Sequence, residues 1–239
     1  VPHLDFLLVG GLAALTGAIV QSSVGLGVGL VATPIVTMLF PSLMPGAILV
    51  IALVLPLATL AQEIRHVELR GLGWAFGGRL AGTPFGVWLV AAVPDRVLGV
   101  LVGTVVLAAL AVTAGSRDVP RNRRTLTAAG VVSGTTGTAS GIGGPPMALL
   151  YQRESGPRVR ATLALYFVGG TLLSLTVLGA AGHLPVRQVV AGLALLPFVL
   201  AGFLAAGPLR RYLDAGRLRL ALLIVVGASA VGLIVRNLV

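Results

Sequence analysis

The stretch Gly130 to Pro146, GVVSGTTGTASGIGGPP, decides how the rest of the chain is read. It places six glycines, two prolines and five hydroxyl side chains between runs apolar enough for lipid. Glycine and proline both weaken the hydrogen-bond ladder of a helix. At bilayer depth the freed backbone groups are tolerated only where protein buries them or a wet cavity meets them. The break therefore marks the expected working site. Half-helices at the membrane midplane present free N–H groups and a positive dipole end, which suits an anion.

Working outward, the chain has 239 residues, 56% hydrophobic and 10% charged, with mean hydropathy +1.02. Runs such as Ala47 to Ala61, Leu98 to Ala114, Val189 to Ala206 and Leu218 to Val235 suit helices crossing about 30 Å of hydrocarbon. They do not alternate apolar with polar residues, so an all-α integral membrane protein is expected rather than a barrel. No charged signal-peptide region precedes Phe6, and the N-terminal run is expected to stay as structure. The chain has no cysteine, hence no disulfide and no thiol ligand for a metal. Its net charge of +10 comes from arginine without lysine. These arginines sit in loops between apolar runs, the pattern of a positive-inside signal rather than of nucleic-acid binding.

Three features point to duplication. GLG at 25–27 answers GIG at 141–143, His66 answers His183, and Asp95 answers Asp214. The first repeat is expected over 1–115, with short pieces near 6–22 and 26–39 followed by spans near 46–62, 72–92 and 97–114. Neither short piece is expected to cross comfortably. A basic cytoplasmic linker over 116–125 leads to a second repeat over 126–239. Its short pieces lie near 126–139 and 145–152, and its spans near 161–181, 188–206 and 218–236. If each broken segment were one crossing, the loop arginines would divide equally between the two sides. If each is a broken or re-entrant pair, thirteen arginines share one side, and only Arg96, Arg187 and Arg236 face the other. The second division is the one that the positive-inside rule predicts, and it makes the halves inverted copies with both termini outside.

With its two glycine-rich motifs, GLGVGLVATP at 25–34 and SGIGGPP at 140–146, the chain resembles the sulfite exporter TauE/SafE family along its whole length. The first motif departs from the family pattern at Val28, and in the second Pro145 and Pro146 follow Gly144 directly. The resemblance implies secondary export of a small anion, often sulfur-containing, across a bacterial inner membrane.

Read from the residues, Gln21, Ser22 and Ser23 precede the first break, and Thr135, Thr136, Thr138 and Ser140 precede the second. A pseudo-twofold axis would bring them together with the backbone of Gly25, Gly27, Gly29, Gly141, Gly143 and Gly144. Hydroxyl, amide and N–H donors can hold a sulfonate or sulfite. The plainer reading is that the hydroxyls bond back to their own helices, while Gly130, Gly134, Gly137 and Gly141 form a packing face. Arg79 lies about 10 Å into its helix, where a charge is by default functional. It is expected to draw the anion, to pair with Glu63 or Glu68, or to snorkel past Gly77, Gly78 and Gly82.

None of the seven acidic residues lies deep in a span, which weighs against ion coupling through a midplane carboxylate and leaves proton linkage through His66, Glu63 or the substrate as the open route. His66 and His183, at span ends, read as loop caps ahead of proton carriers. An anion leaving a negative interior gains roughly 2.3 kcal/mol per charge per 100 mV, so coupling is not required. Expected partners are the anion, lipid and a second copy of the chain as a homodimer. No cofactor, metal, catalytic residue or nucleic acid is expected.

Two rival readings remain. GTASG at 137–141 is similar to the nucleophile motif of intramembrane serine proteases, but its spacing is off by one residue and His183 is placed far away. A passive anion channel or a scaffold is the other. A cysteine placed at Asn122 should react with impermeant maleimide only from the cytoplasmic side; labelling from outside alone would reverse the topology.

Overall fold

The structure, a computed structural model, describes residues 4–24, 27–114, 119–151, 156–209 and 215–238. These form ten α-helices. The first five are α1 (Leu4–Val24), α2 (Val28–Leu39), α3 (Gly46–Glu63), α4 (Leu72–Ala92) and α5 (Asp95–Ala114). The second five are α6 (Arg123–Ser140), α7 (Gly144–Tyr151), α8 (Gly156–Ala180), α9 (Val186–Leu209) and α10 (Ala215–Leu238). Each half thus opens with a broken pair and continues with three long helices, as read from the sequence.

The boundaries differ in instructive ways. Polar residues Gln21 and Ser22 do not end α1, because the Ser22 hydroxyl returns to the Ala18 carbonyl at 2.8 Å and the helix continues to Val24. With 21 residues, α1 rises about 31 Å, and its Leu4–Ser22 stretch is long and apolar enough to cross a membrane, contrary to expectation. At α6, the Asn122 side chain accepts from Thr125 N–H while the Thr125 hydroxyl accepts from Asn122 N–H, a capping box that starts the helix at Arg123.

Among the described residues, Gly46–His66, Gly156–Ala180 and Val186–Ala206 also have the length and composition to span a bilayer, making a multi-pass membrane protein. Although α4 is as long as α1, it is not among these four. Its buried face carries Gly78, Arg79, Gly82, Thr83 and Gly86, while Trp74, Leu80, Phe85 and Trp88 are 49–62% exposed on the other. Such an inside-out helix suits lipid outside and a polar interior.

Contacts at the helix ends set the direction of each element. Glu63, ending α3, pairs with Arg160 near the start of α8, while Gly46 N–H, starting α3, donates to Gln188 Oε1 in the first turn of α9, the helix that follows α8 after a short turn. Hence α3 and α8 run antiparallel. Gly99, early in α5, lies against Asn237 at the end of α10, so this pair is antiparallel too. By contrast α4 runs alongside α6 in the same direction, Gly78, Gly82 and Gly86 meeting Thr127, Val131 and Thr135 in turn. Gly11 meets Phe198 and Leu15 meets Gly202, so α1 and α9 are parallel as well. One end of the bundle gathers Glu63, Arg160, Glu68 and Arg121; the other gathers Gln188, Arg236 and Asn237.

The α4–α6 contact is backbone against backbone. A Cβ on Gly78 would overlap the Thr127 carbonyl oxygen, one on Gly82 that of Val131, and one on Gly130 that of Ala75. Nothing lies within 4 Å of a Cβ built on Gly77, which faces outward on the same helix. Gly77→Ala should therefore raise stability by about 0.5–1 kcal/mol, whereas Gly82→Ala should lower it by about 1–3 kcal/mol. Thermal unfolding in detergent reads both.

Candidate functional site

The two breaks touch one another. At the second, Gly141 takes the left-handed conformation (φ +75°) and closes α6, its N–H donating to the Gly137 carbonyl. A residue with a side chain would be strained there. The chain then folds back, so that the Ser133 hydroxyl donates to Gly143 O at 2.6 Å and the Thr136 hydroxyl to Ile142 O at 2.8 Å. At the first break, Gln21 Oε1 accepts the Val28 N–H at 3.0 Å, and Gly17 lies against the Val28 backbone. The Thr33 hydroxyl crosses from α2 to Ser140 O at 3.0 Å, and a Cβ on Gly29 would stand 2.6 Å from Gly141 O.

Between them lies a cavity of about 60 Å³. This is several times the ~10–15 Å³ that one water needs. Its wall includes Gln21, Gly27 and Gly29 from the first break, and Gly141, Gly143 and Gly144 from the second. Arg79 lines it from α4, Leu49 and Pro56 from α3, and Phe167 and Thr171 from α8. The N-termini of α2 and α7 therefore both open onto it. Few of their N–H groups are free, because Gln21 takes that of Val28 while Pro145 and Pro146 have none.

Arg79 is 2% exposed. It neither snorkels nor pairs with Glu63 or Glu68, which are held by Arg160 and Arg121. Its Nη1 donates to the Ser133 hydroxyl at 2.9 Å, and its guanidinium lies 5.1 Å from the centre of the Tyr166 ring. Nε has no acceptor among the described residues, and no carboxylate there reaches the group. Gly170 makes room for it, since a Cβ at that position would overlap Nε. A guanidinium so enclosed retains donors and a full positive charge beside a small hollow.

The predicted hydroxyls mostly hold the scaffold. Ser22, Thr135, Thr136 and Ser140 donate to backbone carbonyls, and Thr138 shares a 2.7 Å bond with Ser174. None of them lines the cavity, although Ser22 lines a neighbouring chamber. The Ser140 hydroxyl, the protease candidate, donates to Thr136 O and accepts from Ile142 N–H, with no histidine among its described partners. Gly130 and Gly134 pack against α4 as the plainer reading expected, but Gly137 lies by the Arg79 guanidinium. Gly25 and the Ser23 side chain lie outside the described residues.

Sequence reading missed Ser133, Thr171 and Tyr166. Ser133 stands one turn before Gly137 on the face of α6 that meets Arg79, and that spacing was the available signal. Thr171 and Tyr166 sit in an ordinary apolar helix, where only packing brings them to the site.

A family model described as sulfite exporter TauE/SafE matches residues 9–233. No curated protein matches the chain. No solved structure matches it either.

Ser133→Ala would strip both Arg79 Nη1 and Gly143 O of their shared partner. It should lower stability by about 1–3 kcal/mol. A melting temperature equal to that of the parent would show that the Arg79–Ser133–Gly143 relay bears no strain of this kind.

Proposed function

We propose, from the premise that the chain belongs to the sulfite exporter TauE/SafE family, that it is a secondary transporter that holds a sulfite, sulfonate or related sulfur oxyanion against Arg79 between the two glycine breaks. The observation that carries this reading is the buried guanidinium with no carboxylate beside it among the described residues. Leaving such a charge unopposed costs several kcal/mol, and an oxyanion in the adjoining hollow would offset that cost. A guanidinium also matches a planar pair of oxygens better than an ammonium does. The N-termini of α2 and α7 add two positive dipole ends.

In this reading the ligand set is Arg79 with the backbone of Gly27, Gly29, Gly141, Gly143 and Gly144, and Gln21 orients the start of α2. Ser22, Thr136 and Ser140 instead bond within their own hairpins, while Thr135 and Thr138 tie α6 to α4 and α8. The absence of a large side chain at the glycines lets the backbone come close to a small solute.

Support for two inverted repeats, 1–115 and 126–239, comes from how the halves pack. Exchanging α1 with α6, α2 with α7, and so on through α5 with α10 turns the α4–α6 contact into α9–α1 and returns the α3–α8 and α5–α10 pairs to themselves. The antiparallel course of α3 with α8, and of α5 with α10, fits inversion rather than simple repetition. Arginines 65, 70, 121, 123, 124, 158 and 160 belong to segments that meet at one end of the bundle, in line with a cytoplasmic linker and external termini. Export from a negative interior then runs down the electrical gradient.

Purified protein titrated with sodium sulfite or ethanesulfonate should melt at higher temperature than in sodium chloride of equal ionic strength. The stabilisation should approach about 2.7 kcal/mol at a hundredfold excess over Kd. Arg79→Gln, which removes a buried charge, should fold and lose the shift. A full shift in that variant would place the anion elsewhere.

A further inference from the structure

A second chamber, about 320 Å³ in volume, lies between the small cavity and the arginine-rich end of the bundle. The two have Gln21, Pro56 and Phe167 in common, which makes these three residues the partition between them. Glu63 and Arg160 stand on the chamber wall as an ion pair, with Arg160 Nε 3.1 and 3.2 Å from the two carboxylate oxygens and Nη2 bonded to Oε1. Their side chains are 22% and 37% exposed, so both charges are felt inside the chamber.

We propose that this chamber is an entry site for the anion, that Arg160 receives the anion there before it passes the Gln21–Pro56–Phe167 partition, and that Glu63 sets how strongly Arg160 does so. The proposal rests on the assignment of the deeper cavity to the anion. Arg160 commits Nε and Nη2 to Glu63 and, among the described residues, its Nη1 donors are left for a second oxyanion without opening the pair. Glu63 neutralises the arginine and repels an incoming negative charge. Weak capture is what a through-route needs, since an anion held as tightly here as at Arg79 would not move on. The partition's three side chains carry no charge, so an anion crossing it exchanges one guanidinium for another.

The two charges act on the anion with opposite sign, whereas a merely structural ion pair is broken equally by removing either partner. This difference supplies the test. Sulfite flux is measured in proteoliposomes of the full chain, with KM and maximal rate determined separately. Glu63→Gln should lower KM about two- to fivefold and Arg160→Gln should raise it by a similar factor, the range expected for a partly exposed charge pair. Maximal rate should change little, and both shifts should shrink in 0.5 M sodium chloride. Shifts in the same direction, or no shift, would overturn the entry site. Sulfite-induced stabilisation is the separate control: it should persist in Arg160→Gln. Its loss there would merge the two sites and defeat the proposal, and its absence from the unaltered protein would defeat the deeper assignment and this one together.

Discussion

The close approach of α4 to α6 is the constraint on which the rest of the structure depends. Their backbones meet along Gly78, Gly82 and Gly86 on one side and Gly130 and Gly134 on the other, with a Cβ on Gly134 standing 2.5 Å from Arg79 O. In lipid there is no hydrophobic gain from pressing two apolar helices together, so contact of this kind relies on small residues that let main chains pack. The same contact encloses Arg79. Its carbonyl is covered by α6, its guanidinium reaches Ser133 on α6, and Gly170 on α8 leaves the space it occupies. A cation is thereby fixed in the interior by backbone and hydroxyl, with no carboxylate beside it among the described residues.

That arrangement gives the broken hairpins their meaning. Ser133 links Arg79 to Gly143 O, and Thr33 links the first hairpin to the second through Ser140 O. Cation and breaks therefore form one connected unit whose parts hold each other in register. The N-termini of α2 and α7 point into the same small space, and like dipole ends repel unless negative charge lies between them. Gln21 and two prolines leave few free N–H groups at these helix starts, so the positive character of this space comes from the dipoles and Arg79.

Much of the fold was legible because membrane segments announce themselves. Apolar runs, the glycine-rich breaks and the lopsided arginines located the elements, and the helices found lie within a few residues of those expected. Misplaced edges arose where a side chain found a local partner: the Ser22 hydroxyl is satisfied within α1, which runs on past its polar residues, and Asn122 with Thr125 caps α6 and starts it early. The glycines of the candidate site were also legible, since five of the six proposed line the cavity with Gln21 and Arg79. The hydroxyls were not, because Ser and Thr residues look alike in a sequence whether they face a cavity or a carbonyl one turn back.

Sequence alone determined that this chain lives in a membrane, that two interrupted segments divide it, and that one arginine lies where lipid would not tolerate it. Those facts follow from composition and spacing, which need no knowledge of neighbours. Only the tertiary structure decided what that arginine faces. Glu63 and Glu68, equally plausible partners along the chain, are taken by Arg160 and Arg121, and Ser133 and Tyr166 take their place beside Arg79. Electrostatic pairing depends on which charges come within a few ångströms once helices pack, and helices distant in sequence settle that.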